Sequence, residues 1–462
     1  MLDKTRLEKY LSLCMSSQAD FAEIYEEDEI SETISMTEGK TENVNRTHTA
    51  GVGIRLYKGL QTVYAYTNDT AEDVLAGLID DLRDAIGRSD ETGTVTLERV
   101  EYENRHPAKT DFRDMSAVEK SDLLRRATDA AKNSDERIAK VQASLLNVRQ
   151  EVQISNSEGR LISDTRVRTR MMVDALAQEG DNRQGGGCRP GAGKGPEFFE
   201  EFTPEEAGRE AARIAVVNLS ARPCPSGMMP VVIDNAFGGV IFHEACGHGL
   251  EASVVSKNQS VFSNLIGQKV ASDCVTAIDD GTIPNAWGSQ NIDDEGNFQK
   301  KRVLIENGIL KSYLIDRLNG RRMNAESTSS SRRESYKFEP TSRMTNTYIA
   351  AGDSSYEELF EGIEKGLYAR TMGGGSVNPQ TGEFNFSVLE GYLIENGKVT
   401  CPVKGAALIG SGREIIMNIE KVASNLARGQ GMCGAASGSI PTDVGQPAIR
   451  ISRITVGGTS NE

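Results

Sequence analysis

An α+β fold in two parts is predicted by three features of this 462-residue chain. Through the first 220 residues, amphipathic helices with capping signals interleave with hairpin-like runs of alternating polarity. The stretch Ser220-Ala221-Arg222-Pro223-Cys224-Pro225-Ser226-Gly227 then reads as a Pro/Gly linker. Beyond it the chain turns β-rich around one apolar, glycine-containing helical segment. The expected domains are 1–222, an N-terminal α+β domain of antiparallel strands with helices, and 223–462, a β-rich C-terminal domain.

Residues 3–17 read as a helix with Leu7, Leu11, Leu13 and Cys14 on one face. Residues 21–36 alternate as a strand pair would, and 52–57 with 61–66 flank Lys58-Gly59-Leu60 as a hairpin. Thr70 and Asp73 resemble a capping box, followed at helical spacing by Val74, Leu75, Leu78, Ile79, Leu82 and Ile86. A second box pairs Ser116 with Glu119 ahead of Val118, Leu123, Leu124 and Ala127. Strand-like runs fill 138–177, with a turn at Asn156-Ser157-Glu158-Gly159. Thr203, Pro204 and Glu206 open a helix that runs to about residue 218. The glycine run 185–195 fails as a phosphate loop, because Cys188 stands where the first glycine belongs and Gly195 replaces the Ser or Thr; it reads as a mobile loop.

In the second half, Glu306-Asn307-Gly308 and Glu395-Asn396-Gly397 are hairpin turns between apolar runs. Residues 320–339 read as a polar loop that borders a cleft or is simply solvated, 354–367 as a helix, and 448–456 as a last strand.

A net charge of −15, from 67 acids and 52 bases, argues against general binding to nucleic acid or an anionic membrane. The best basic patch, Arg321-Arg322 with Arg332-Arg333, is sparse. Seven scattered cysteines suggest no disulfide framework and fit a reducing compartment. The N-terminus shows no signal-peptide pattern and no apolar run reaches membrane-spanning length, so the expected location is cytoplasmic.

Two of the four histidines lie in Phe242-His243-Glu244-Ala245-Cys246-Gly247-His248-Gly249-Leu250-Glu251. The spacing is one residue longer than the His-Glu-x-x-His zinc motif. Positions four apart on a helix differ by about 40° around the axis, and positions five apart by about 140°. For both imidazoles to share a metal, the helix must loosen through a π-type turn or end before His248, and Gly247 and Gly249 tolerate either departure. The strand Met229-Pro230-Val231-Val232-Ile233-Asp234, Asn235 as N-cap and the apolar run 237–242 would bury this metal-binding helix in the domain core. A catalytic zinc takes three protein ligands. Cys433, in the glycine-rich turn Gly429-Gln430-Gly431-Met432-Cys433-Gly434, is one candidate for the third, and Glu251 is its rival; Cys246 reads as a packing residue.

The segments 243–251, Arg343-Met344-Thr345-Asn346-Thr347, and Gly431-Met432-Cys433-Gly434 leading to Val444-Gly445-Gln446-Pro447 resemble the TldD/PmbA family of metallopeptidases, once called modulators of DNA gyrase. The likeness spans most of the chain, and keeping His-Glu-x-x-x-His makes it similar to the catalytic, TldD-like member. The resemblance implies Zn2+ held by His243, His248 and Cys433, with Glu244 as general acid/base. It also implies a dimer, homodimeric or with a motif-less PmbA/TldE-like paralogue, acting on unfolded or short peptides. Arg343 and Asn346 are candidates to contact substrate or, alternatively, strand residues making structural hydrogen bonds. The rival functions are a non-peptidase metal hydrolase such as an amidase, and a non-enzymatic regulatory partner with structural zinc.

Overall fold

The computed structural model describes residues 1–89, 93–378 and 380–459. Its N-terminal part is built on strands of unusual length. Phe21–Thr37, Lys40–Lys58, Ile138–Asn156 and Arg160–Glu179 run side by side, with Phe21–Thr37 between Lys40–Lys58 and Ile138–Asn156 in antiparallel register. At about 3.3 Å per residue, a 17–20-residue strand extends about 60 Å, long enough to carry two separate helix pairs.

Helices Lys4–Met15 and Glu72–Ile86 cover one stretch, burying Leu7, Leu11, Leu75 and Ile79 against Ile24, Ile54 and Leu56. Helices Ala117–Lys132 and Pro204–Leu219 cover another, with Leu124, Ala127, Ala211 and Ala215 against Val141, Met171 and Val173. Both helices of that second pair begin with complete capping boxes, Ser116 with Glu119 and Thr203 with Glu206, as their sequences predict.

Residues 21–36 form one strand, not two, because no turn residue interrupts them; the reversal waits for Glu38-Gly39, both at positive φ (48° and 73°). The Thr70/Asp73 box does not form. Ala71 is the N-cap, Asp69 accepts from its amide, and the Thr70 carbonyl accepts from Arg6. Val118 points outward, 74% exposed, on the solvent side of its helix.

The glycine run is ordered strand, not a mobile loop: Asn182–Cys188 pairs with Arg160–Glu179, and Gly191-Ala192 pairs with it again. Glycine is needed there because helix Pro204–Leu219 lies directly on it. A Cβ at Gly186 would stand 2.3 Å from the Ala211 carbonyl oxygen and the Ala215 nitrogen.

The C-terminal part holds two further sheets. In one, Lys365–Val377, Gly227–Ile233, Ile449–Gly457, Ala407–Ser411 and Glu383–Glu395 pair in sequence, and the last pairs back to the first, closing a ring. In the other, Ala277–Asp280, Asn346–Ile349, Gly438–Gln446 and Ala427–Ala435 lie side by side. Both Asn-Gly turns form with φ near +50° and +75°, as the hairpin signal predicts. The helix expected at 354–367 is only a 3-10 turn, Glu357–Leu359, because Gly362 takes φ +72° and Lys365 onward is drawn into the ring. Residues 320–339 are solvated only in part: Asn324 to Glu326 are exposed, but Ser329 to Arg333 are buried, which also removes Arg332-Arg333 from any basic surface patch.

The two parts meet through buried ion pairs. Arg55 contacts both Glu23 and Glu295, Arg333 contacts Glu23, and Arg166 contacts Asp294 at 2.8 Å. Among the described residues, no helix is long and apolar enough to cross a membrane.

Substituting Gly186→Ala forces strand and helix apart and is expected to lower unfolding stability by about 1–3 kcal/mol. Gly77→Ala, mid-helix with nothing within 4 Å of the new Cβ, is expected to raise it by up to about 1 kcal/mol; denaturant titration of both checks the contrast.

Candidate metal centre

The histidine motif lies where the two C-terminal sheets face one another. The chain leaves strand Gly227–Ile233 and turns through a 3-10 segment at Ala236–Gly239. It winds as α-helix over Val240–Phe242, as π-helix over His243–Gly247, and as 3-10 helix over His248–Leu250. The loosened turn that the five-residue spacing requires is therefore present, and it falls between the two histidines. The rings stand 5.1 Å apart at 84°.

The glycines serve this arrangement differently from the expectation. Gly247 keeps ordinary helical angles (φ −53°, ψ −53°), so left-handed freedom is not what it contributes. Room is. A Cβ on Gly247 would lie 2.2 Å from Met344 Sδ, and one on Gly249 would lie 2.8 Å from Phe262.

Cys433 arrives from far along the chain. It sits in strand Ala427–Ala435, not in a turn, because Gly438–Gln446 pairs along its length with Cys433 opposite Ile440. Its Sγ lies 3.2 Å from His243 Nε2 and 3.3 Å from His248 Nε2. All three side chains are buried, and their ligand atoms lie within 4.8 Å of one another. Burial pushes the Cys433 thiol up, but the adjoining His243 and His248 imidazoles outweigh it and bring its pKa down to about 3.

This donor set fits a small tetrahedral cation. With metal–nitrogen and metal–sulfur bonds of about 2.0–2.1 and 2.3 Å, a tetrahedral N···S edge is about 3.5 Å. The two N···S edges, 3.2 and 3.3 Å, agree with it within a few tenths of an ångström.

Each imidazole is oriented from behind. Glu251 Oε1 lies 3.1 Å from His248 Nδ1; as carboxylate it accepts the Nδ1 proton and turns the Nε2 lone pair toward Cys433. Thr347 Oγ1 stands 3.3 Å from His243 Nδ1. Glu251 thus occupies the outer side of His248, away from the thiol, instead of serving as the rival ligand. Cys246 packs as expected, fully buried with its thiol toward the Gly412 carbonyl at 3.8 Å. Glu244 projects to the inner side. Its carboxylate is 3.7 Å from His248 Nε2 and 21% exposed, so it adjoins that ligand atom and still reaches solvent.

Arg343 and Asn346 are fully buried and occupied by partners within the chain, so neither presents itself to a substrate. Arg343 donates to the Cys433 carbonyl, to Ser437 Oγ at 2.9 Å and to the Gly438 carbonyl at 3.0 Å, and its Nε is 3.9 Å from Glu251. Asn346 donates to the Asp280 carbonyl and Ser289, and accepts from the Gly288 amide. Glu251 and Thr347 were present in the motif segments, but nothing in their spacing assigns either to a particular histidine.

Comparison with known proteins follows the same lines. Family models match residues 22–91 (PmbA/TldA metallopeptidase domain 1), 110–219 (central domain) and 226–458 (C-terminal domain). The chain is 40% identical over 420 residues to a Haemophilus influenzae protein named Metalloprotease TldD homolog, covering 89% of this chain and 87% of that one. It is 37% identical over 456 residues to the Buchnera aphidicola (Acyrthosiphon pisum) protein of the same name, covering 97% and 94%. The fold matches the crystal structure of TldE from Thermococcus kodakarensis with a TM-score of 0.78 at 18% identity, over 98% of this chain and all of that one. Sequence and fold agree, and the chain belongs to the TldD/PmbA family of metallopeptidases.

Proposed function

We propose that this chain is a zinc-dependent peptidase acting on unfolded or short peptides, with His243, His248 and Cys433 holding the ion and Glu244 moving the proton. The observation that carries the reading is the convergence of two imidazole nitrogens and one thiol, buried and within 4.8 Å, beside a carboxylate that reaches solvent. Two nitrogens and a sulfur favour zinc over the hard, oxygen-seeking cations. Zinc supplies Lewis-acid polarisation of the scissile carbonyl and activation of water.

The chain's own groups do the rest. Glu244 is positioned to accept a proton from the attacking water and deliver it to the leaving amine. Glu251 and Thr347 hold the imidazole planes, and Arg343 ties the Cys433 strand to the Ser437-Gly438 turn behind it. The family resemblance extends the reading to assembly, with a second copy or a motif-less PmbA/TldE-like chain enclosing the centre.

Elemental analysis is expected to find one zinc per chain in the wild type and little in Cys433→Ser; full retention by the mutant would move the third ligand elsewhere. Glu244→Gln is expected to keep its zinc and lose about 100-fold or more of peptide cleavage. Cleavage of small amides with no cleavage of peptides would establish the amidase reading, and biological activity unchanged by Glu244→Gln would establish a structural ion. Glu251→Ala frees the His248 ring and is expected to weaken zinc affinity by about 10–100-fold, read by competition with a chromogenic chelator.

A further inference from the structure

A second site lies one residue from the candidate metal centre. The strand that carries Cys433 also carries Met432, and Met432 lines a cavity of about 250 Å³ between the long N-terminal sheet and the C-terminal loops. Its walls hold four guanidinium groups, Arg166, Arg168, Arg332 and Arg333, against three carboxylates, Glu29, Asp294 and Glu334.

Two of those cations are neutralised within the chain. Arg166 pairs with Asp164 and Asp294, and Arg333 with Glu23. Arg168 and Arg332 have no such direct contact. Arg168 is 5% exposed, and its Nε donates to the Trp287 carbonyl at 3.1 Å. Arg332 is 1% exposed; its Nη1 donates to the Met344 and Pro441 carbonyls, and its Nε has no partner. Among the described residues, neither has a carboxylate within ion-pair distance.

The wall carboxylates act on this pair only at longer range, Glu29 and Asp294 on Arg168 and Asp294 on Arg332. Asp294 is taken by Arg166 and the Arg333 amide, Glu334 accepts from the Ser439 amide, and Glu29 makes no ion pair with either arginine. A buried cation with no counter-charge in direct contact is costly, by several kcal/mol per ion. Burial accordingly depresses both guanidinium groups, with help from neighbouring arginines, to about 10 at Arg168 and about 9 at Arg332.

We infer that this cavity binds the C-terminal carboxylate of a peptide, with Arg168 and Arg332 as its counter-charges. The guanidinium fork matches a carboxylate geometrically. Leu146, Val148, Met432 and Ile440 lie beside it as an apolar wall for the last side chain, which a bare inorganic anion would not use. The choice of a peptide as ligand rests on the peptidase reading above and deepens it: short peptides would be held by their C-terminal end beside the Cys433 strand.

Trp287 is the chain's single tryptophan and lines the cavity, so its fluorescence reports occupancy without any turnover. The wild-type protein is titrated with an N-acetylated dipeptide ending in leucine, as free acid and as C-terminal amide, and with inorganic phosphate. The free acid is expected to give a saturable change, with the amide and phosphate weaker by about tenfold or more, the scale of one charged hydrogen-bond pair. Arg168→Gln is expected to erase the preference for the acid, and Arg168→Lys to restore part of it. Equal binding of acid and amide, or no change with either, would overturn the inference. So would phosphate binding as tightly as the acid, which would make this a site for free anions. Should Arg168→Gln fail to fold, the acid-against-amide comparison on the wild type still decides. A parallel cleavage assay on the zinc-loaded protein separates the two readings, since a carboxylate preference in a zinc-loaded protein that cleaves no peptide supports this site and counts only against the peptidase reading.

Discussion

A buried thiol shared between two imidazoles, contributed by segments 185 and 190 residues apart, is the contact around which the C-terminal half is arranged. It demands that a helix and a strand meet at hydrogen-bond distance with their backbones already crowded. The π turn aims both histidines the same way. Gly247 and Gly249 let Met344 and Phe262 approach, and the pairing of Ala427–Ala435 with Gly438–Gln446 fixes the height of Cys433. Arg343, behind the cysteine, ties the thiol-bearing strand to its own turn and lies against Glu251, the residue that orients His248. One buried cation thereby links the two ligand arms.

The second constraint is electrostatic. The long N-terminal sheet and the C-terminal loops meet over buried arginines and carboxylates, with Glu23, Arg55, Glu295 and Arg333 forming one connected set. Such pairs add little net stability, because desolvation offsets most of their attraction, but a mismatched alignment would strand a charge and is strongly disfavoured. They therefore favour a single docking geometry for the 287–295 and 329–336 segments. Those segments form the floor of the arginine-lined cavity. Where the charges pair directly, the interface is closed; Arg168 and Arg332, which lack a contacting carboxylate, line the cavity.

Much of this was legible in the residues. Capping boxes at Ser116 and Thr203 name their helices because the signal is local, two side chains closing on two amides within four residues. Asn-Gly turns are equally local, since few other pairs adopt two consecutive positive φ angles. The π turn was readable from arithmetic, five residues being incommensurate with 3.6 per turn. Errors gathered where a partner distant in sequence decided the outcome. The glycine run became a strand because Arg160–Glu179 pairs with it and a helix lies across it, and the helix expected at 354–367 shrank to a 3-10 turn because its last residues, from Lys365, were drawn into the ring.

By itself, the sequence determined the α+β class, the local starts and turns, and the requirement that a metal-binding helix be distorted between His243 and His248. These follow from steric and hydrogen-bonding rules acting over a few residues. Only the tertiary structure decided that Glu251 stands behind His248 and not beside the thiol. It alone decided that Arg343 and Asn346 are buried ties, and that two arginines line a cavity without a carboxylate in direct contact. Those outcomes depend on which distant surfaces exclude water together, and a buried charge acquires its cost, and its need for a partner, only when that exclusion is complete.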